Sequence, residues 1–181
     1  LGEARPEQRV RAVPGQGTRV PIWLLGSSLY SAQLAAHKGL PFAFAVQFAP
    51  AQLDEALAIY RRDFRPSEVL AAPYAMVGLP VLAAATDERA DYLASTARQK
   101  FLGLIRGQRG RARPPVATLD WNPMERAQVE GFLGAAVIGS PATVRDGLER
   151  LLERTQADEL MINTDTYALE DRLESYRLVA E

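Results

Sequence analysis

Residues 21–46 have the sequence PIWLLGSSLYSAQLAAHKGLPFAFAV, and this stretch decides the fold. Two apolar runs, residues 22–25 and 42–46, have the length and the β-branched or aromatic content of buried strands. Between them, small and apolar residues recur at the spacing of one helix face, and Gly39 followed by Pro41 ends that helix. The stretch therefore predicts a βαβ unit with two buried, parallel strands.

The turn of this unit, Gly26-Ser27-Ser28, is the first candidate functional site. A helix that opens directly after a parallel strand presents free backbone N–H groups and the positive end of its dipole. Gly26 lets a ligand approach the backbone closely, and the hydroxyls of Ser27, Ser28 and Tyr30 can donate to phosphate oxygens. Alternatively, Ser27 or Ser28 only caps the helix, and local features alone favour that interpretation.

The alternation of apolar runs and amphipathic helices continues to the end of the chain, which is typical of an α/β fold with a parallel sheet. Further strands are predicted within residues 75–84 and at 159–163. Gly78 and Pro80 predict a bulge or bend in the first of these, in place of a central, fully paired strand. Further helices are predicted from about residue 50 to 64, from Thr86 to 106, from Asn122 to 133, from Ser140 to 155, and over 169–180.

Composition limits the classes of function. The chain has 181 residues, of which 48% are hydrophobic, and its 21 basic and 22 acidic side chains give a net charge of −1. Such a balance favours neither nucleic acid nor an anionic membrane as a partner. With no cysteine and one histidine, His37 beside Lys38 in a last helical turn, no metal site is expected. No run is long enough to span a membrane, so a cytoplasmic protein is expected.

Four segments resemble the bacterial luciferase-like, flavin-dependent monooxygenases, in the same order as in that family. They are PIWLLGSSLYSAQLAAHKGLPFAFA, PYAMVGLPVLAAATDERA, VIGSPATVRDGLERLLERT and ADELMINT. The resemblance implies the C-terminal half of a (β/α)8 TIM barrel. It also implies that the turn with Gly26, Ser27, Ser28 and Tyr30 holds the phosphate of FMN.

The resemblance further implies an enzyme that uses reduced FMN and O2 to oxygenate a small organic substrate. A flavin reductase as supplier of reduced flavin and a homodimer are expected with it. Two alternatives stay open: a hydride transferase that uses the deazaflavin F420, and a non-catalytic flavin-binding relative. The resemblance assigns no catalytic residue in this chain.

The family builds its barrel from a longer chain, and the resemblance here begins in the second half of that barrel. Because Leu1 is not an initiator methionine, we expect an N-terminal portion to be missing. Residues 1–20 are predicted to be a linker or loop, and 21–181 the C-terminal portion of the barrel domain. Half a barrel leaves two sheet edges and should therefore show an uncovered edge or an apolar interface.

Three other segments are candidates for the site. Gly139-Ser140-Pro141 also opens a helix and is a second candidate anion site, or a plain cap. Residues 163–165, Asn163-Thr164-Asp165, follow the last predicted strand at its carboxyl end, where barrel enzymes place active sites, and either face the ligand or only turn the chain.

Gln47 and Phe48 follow the second strand and could border a flavin ring. Many family members carry Ser-His where this chain has Val46-Gln47, and glutamine cannot replace the acid–base role of a histidine. Residues 106–115, RGQRGRARPP, are basic but have no interleaved aromatic residue, which favours a solvated loop over a nucleic-acid site.

Overall fold

The structure, a computed structural model, describes residues 3, 5–18, 20–108 and 110–181. Leu1, Gly2, Ala4 and Arg19 of the predicted linker and Arg109 of the basic loop lie outside the described residues. The described strands are β1 (Leu24–Gly26), β2 (Phe42–Ala45), β3 (Ala75–Ala83), β4 (Val137–Gly139) and β5 (Glu159–Asn163). The described α-helices are α1 (Leu29–Lys38), α2 (Leu53–Arg62), α3 (Asp87–Ile105), α4 (Pro123–Phe132), α5 (Pro141–Thr155) and α6 (Leu169–Ala180).

Every described strand pair is parallel, which confirms the predicted α/β fold. β1 pairs with β2, and β2 pairs with the first half of β3. β5 pairs with β3 on its other side, from Met76 opposite Glu159 to Pro80 opposite Asn163. β4 pairs with the last three residues of β3. The predicted βαβ unit is confirmed, although its first strand is Leu24–Gly26 and not residues 22–25, and the short strand β4 was not predicted.

The prediction that β3 is not a central strand was wrong, because β3 is the strand that joins the sheet together. Its backbone groups alternate in direction: the carbonyl of Tyr74 accepts from Phe42 of β2, and the amide of Ala84 donates to Gly139 of β4. The backbone N–H and C=O groups of even-numbered residues in β3 therefore point toward β2 and β4. Pro80 faces the gap between them, where β2 has ended and β4 has not begun, so its missing N–H costs no ladder hydrogen bond.

The hydrophobic core lies on one face of the sheet, beneath four helices. Phe42, Phe44, Val77 and Leu79 of the strands are fully buried there against α1, α2, α5 and α6. Four residues of α2 at the spacing of one helix face are buried in this core: Leu53, Ala56, Leu57 and Tyr60. The helices thus cover one face of a parallel sheet, as they do on the outside of a barrel.

The other face of the sheet is largely open. The register places Leu25, Ala43, Met76 and Glu159 in one row across four strands, and Leu25 is 69% exposed. Met161, on the same face, is 56% exposed. In a closed barrel this face lines the interior. Among the described residues β1, β4 and β5 each pair with one strand only, so the sheet has free edges, as expected of half a barrel.

The helix boundaries follow their capping residues, as the sequence predicted. Thr86 caps α3, Asn122 caps α4 and Ser140 caps α5, each accepting a hydrogen bond from the amide three residues later. Gly39 ends α1 in the left-handed conformation with φ +61°.

The longest helix, α3, covers the carboxyl end of the open face. Leu82 and Ala84 alternate onto the same side as Met76 and Pro80, and they pack against Ala90, Leu93 and Ala94 of α3. In the part of the chain that the structure describes, no helix combines the length and apolarity that crossing a bilayer requires.

Candidate functional site

Because the strands are parallel, their carboxyl ends meet at one edge of the sheet, and the candidate residues collect there. β1 ends at Gly26, β2 leads into Gln47, β4 leads into Ser140, and β5 leads into Thr164. This edge is where barrel enzymes build their active sites, from the loops that follow the strands. His37 lies at the opposite end of α1 from this edge, exposed, in the last turn beside Lys38.

In the turn between β1 and α1, two serines form a reciprocal cap. Ser28 is the N-cap residue, and its Oγ accepts a hydrogen bond from the amide of Ser31 at 3.2 Å. The Oγ of Ser31 accepts from the amide of Ser28 at 3.3 Å and donates to the carbonyl oxygen of Ser28 at 2.6 Å. The N-cap interpretation is therefore correct for Ser28, and Ser31 is a member of the turn that the sequence reasoning missed.

Gly26 is required by the helix itself. A Cβ atom at this position would lie 2.2 Å from Oγ and 2.3 Å from Cβ of Ser31. No φ in the left-handed region is involved, so the reason for glycine is the close approach of α1 to the end of β1. The close approach brings the first turn of α1 directly over the carboxyl end of β1.

Several donors in this turn have no acceptor among the described residues. The amides of Ser27, Leu29 and Tyr30 make no hydrogen bond to the described part of the chain, because Ser28 and Ser31 satisfy only each other. The hydroxyls of Ser27 and Tyr30 also have no partner among the described residues, and Tyr30 is 71% exposed. The turn can therefore donate up to five hydrogen bonds to a ligand without breaking its own cap.

The charge at this helix end differs from that at the other helices. α2, α3, α4 and α6 each carry an acidic residue in the first turn. α1 and α5 carry none, but the amide of Ser140 at the start of α5 donates to Oδ1 of Asp87 at 2.6 Å. Among the six described α-helices, α1 alone has neither an acidic first turn nor a carboxylate bound to its N-terminal amides.

The second candidate anion site, Gly139-Ser140-Pro141, is thus filled by the protein. The hydrogen bond from the Ser140 amide, followed by those from the side chains of Thr143 and Ser140, holds the pKa of the Asp87 carboxyl below its usual range. Asp87 lies in the first turn of α3 and joins the start of α3 to the start of α5. An incoming anion would have to displace this carboxylate, so Gly139-Ser140-Pro141 is a cap and not a ligand site.

The three residues after β5 have different roles. Thr164 Oγ1 donates to the carbonyl of Val81 at 2.7 Å, and Lys100 pairs with Asp165 at 2.6 Å. These two residues therefore hold the segment that follows β5 against β3 and α3. Asn163 alone lies exposed on the open face, opposite Pro80, with no hydrogen bond from its side chain to the described residues.

Gln47 is an unexplained polar group at this edge. It lies in a short 3₁₀ turn (Val46–Phe48) after β2, and its Oε1 is buried without a hydrogen-bond partner among the described residues. A buried carbonyl oxygen without a donor costs free energy, about 1–3 kcal/mol. A donor from a ligand or from another part of the protein is therefore expected at this point, beside an exposed Phe48.

The chain belongs to the luciferase-like monooxygenase family, whose family model matches residues 1–159. The Bacillus subtilis (strain 168) protein YvbT is 48% identical over 175 residues, covering 96% of this chain and 52% of its own length. A luciferase-like monooxygenase of Escherichia coli (strain K12) is 46% identical over 178 residues, covering 97% and 53%. The chain thus spans about half the length of the curated relatives it matches.

Solved structures give the same fold. Apo-MsnO8 superposes with a TM-score of 0.81 at 30% identity, over 97% of this chain and 54% of its own. The oxygenating constituent of 3,6-diketocamphane monooxygenase from Pseudomonas putida, solved in complex with FMN, superposes with a TM-score of 0.61 at 17% identity, over 93% and 48%. The predicted fold class, the C-terminal half of a luciferase-like TIM barrel, is confirmed.

Proposed function

We propose that this chain forms part of an FMN-dependent monooxygenase, which uses reduced flavin and O2 on an organic substrate and holds the flavin phosphate at the turn between β1 and α1. The observation that carries the proposal is the start of α1. Among the described α-helices, it is the N-terminus that has unpaired amides and no carboxylate nearby. It lies at the carboxyl edge of a barrel sheet, and the chain belongs to a family of monooxygenases.

The residues present fit a phosphate ester. The amides of Leu29 and Tyr30 and the hydroxyl of Ser27 supply donors, and the dipole of the ten-residue helix favours a dianion. No lysine or arginine lies in the turn, so the site relies on backbone donors. Gln47, on the neighbouring strand end, supplies a buried acceptor for an N–H group of the bound ring system.

Bound flavin supplies the redox chemistry and the reaction with O2, while the protein orients it and excludes water. In this proposal the turn fixes one end of the cofactor and Gln47 accepts a hydrogen bond near the other. An FMN complex of a structural neighbour supports the choice of cofactor as an analogy of fold. A separate flavin reductase and a homodimer belong to the same proposal.

The test replaces Ser27 with aspartate in the intact protein and compares binding of FMN with binding of riboflavin, which lacks the phosphate. A carboxylate about 4 Å from the phosphate costs about 4 kcal/mol per pair of unit charges at an effective dielectric constant near 20. A penalty of only two-thirds of that value already lowers FMN affinity about a hundredfold. Riboflavin affinity should change far less.

The matched control is Ser27→Asn, which has nearly the same shape as aspartate and no charge. It should retain FMN binding to within about fivefold, since one net neutral hydrogen bond is worth about 1 kcal/mol. Equal losses of FMN and riboflavin in Ser27→Asp would show that the turn is only a cap. Oxygen consumption with reduced FMN, measured beside binding of the deazaflavin F420, tests the monooxygenase assignment.

A further inference from the structure

A cavity lies away from the turn between β1 and α1. It has a volume of about 690 Å³ and is bounded by α3, residues 116–121 and α4. Cavities of this size hold small organic molecules in other proteins. None of its lining residues belongs to β1, α1 or β2, so it is a separate site from the proposed phosphate turn.

One wall of this cavity is fixed to α3 by hydrogen bonds. Ser95, which is 3% exposed, donates from Oγ to the carbonyl of Tyr92 at 2.6 Å and accepts from the amide of Val116 at 2.8 Å. The carbonyl of Arg113 accepts from Thr96 at 3.0 Å. These bonds hold the chain along α3, so the wall exists before a ligand arrives.

The opposite wall is fixed by an ion pair. Arg106 donates to both carboxylate oxygens of Glu125, at 2.7 Å and 2.9 Å, and to the carbonyl of Asp120 at 2.8 Å. This bidentate contact fixes the start of α4 and the residue before Trp121. Arg106 is exposed like Arg111 and Arg113, as predicted for the solvated loop of residues 106–115, but it is also held by an ion pair.

The lining combines aromatic side chains with one unbalanced carboxylate. Two of its ion pairs cancel, Arg98 with Asp91 at 2.6 Å and Arg126 with Glu130 at 2.7 Å. Glu88 has no ion-pair partner among the described residues, so the cavity carries a net charge of −1.

The rest of the lining includes aromatic and aliphatic groups. Tyr92 and Trp121 line the cavity together with Ile138 and Leu133. The guanidinium of Arg89 lies 5.4 Å from the centre of the Tyr92 ring, within the distance of a cation–π contact. A cation over an aromatic face gains electrostatic attraction beyond its apolar contact.

We propose that this cavity is a binding site for an organic cation, a protonated amine on an aromatic or aliphatic body. Glu88 is the counter-ion of the ammonium group, and Tyr92 and Trp121 contact the apolar body. This site does not rest on the proposed flavin function. Its lining residues, the hydrogen bonds and ion pair that fix its walls, and its charge are all independent of the turn between β1 and α1.

The test uses three probes with closely similar bodies and different charges: 2-phenylethylamine, 2-phenylethanol and 3-phenylpropanoate. Calorimetric titration of the intact protein at pH 7 should give the amine about fivefold or more tighter binding than the alcohol, and the weakest binding to the carboxylate. Glu88→Gln should lower the affinity for the amine about fivefold and leave that for the alcohol unchanged. Trp121→Leu should weaken both, because it removes apolar contact.

The matched control is Glu55→Gln. Glu55 is also an exposed, first-turn glutamate without an ion-pair partner among the described residues, but it lies on α2. It should leave all three affinities unchanged. The proposal is overturned if the alcohol or carboxylate binds as tightly as the amine, or if Glu55→Gln matches Glu88→Gln. It is also overturned if the amine at 10 mM fails to bind a protein whose circular dichroism melt is normal.

Discussion

Replacing Gly26 with alanine tests the close packing of α1 against β1. The new Cβ would lie 2.3 Å from Cβ of Ser31, whereas ordinary contact begins at 3.4 Å. The Cβ of Ser31 is fixed by the helix backbone, so a change of rotamer cannot relieve the overlap. The helix must move by about 1 Å, which costs about 1–3 kcal/mol as overpacking and about 1 kcal/mol as loss of the cap with Ser28. The expected loss of unfolding free energy is about 2–4 kcal/mol.

A double-mutant cycle shows whether the overlap is the cause. Ser31→Gly alone should cost about 1–2 kcal/mol, from the lost cap and from glycine in a helix. Ser31→Gly removes the atoms that obstruct the new Cβ. The loss of unfolding free energy in the double variant should therefore be smaller than the sum of the two single losses, by at least about 1 kcal/mol. Urea denaturation of the intact protein measures all three free energies. Gly131→Ala is the control, because a Cβ there meets nothing within 4 Å and alanine should be neutral or stabilising. Strict additivity of the two losses would refute the packing argument.

Two further predictions concern stability. Tyr60→Phe should cost about 1–3 kcal/mol in urea denaturation, because the buried hydroxyl donates to the carbonyl of Leu40 at 2.9 Å and accepts from the amide of Tyr74 at 3.1 Å; a loss below about 0.5 kcal/mol would contradict this. Hydrogen bonding to Arg106, together with the N-cap amide, lowers the pKa of Glu125 to about 2. Its contribution to stability is therefore present above the ordinary value of 4.5 and is lost as the pH falls through about 2. Glu125→Gln should flatten the fall of unfolding free energy below pH 4.5, and parallel curves for variant and parent would disprove this link.

Most elements of this fold could be predicted from the local sequence. Helix starts were predictable because Thr86, Asn122 and Ser140 satisfy amides only three residues away, and Gly39 ends α1 by its own conformation. Strand direction was predictable because buried apolar runs that alternate with helices require parallel crossovers. The turn at Gly26 was found for the same reason, although its role in binding phosphate stays a prediction.

Tertiary structure alone decided which of these features are free for a ligand. Asp87 accepts the hydrogen bond from the amide of Ser140 at the start of α5, 53 residues further along the chain. Thr164 donates to the carbonyl of Val81, 83 residues away. Neither contact could be predicted from a local sequence pattern. Pro80 suits a central strand only because the neighbours of β3 change at that point. Propensity describes a residue and its near neighbours, whereas pairing across the sheet depends on which distant backbone groups arrive beside it. That distance in sequence is why the elements could be predicted and the free donors could not.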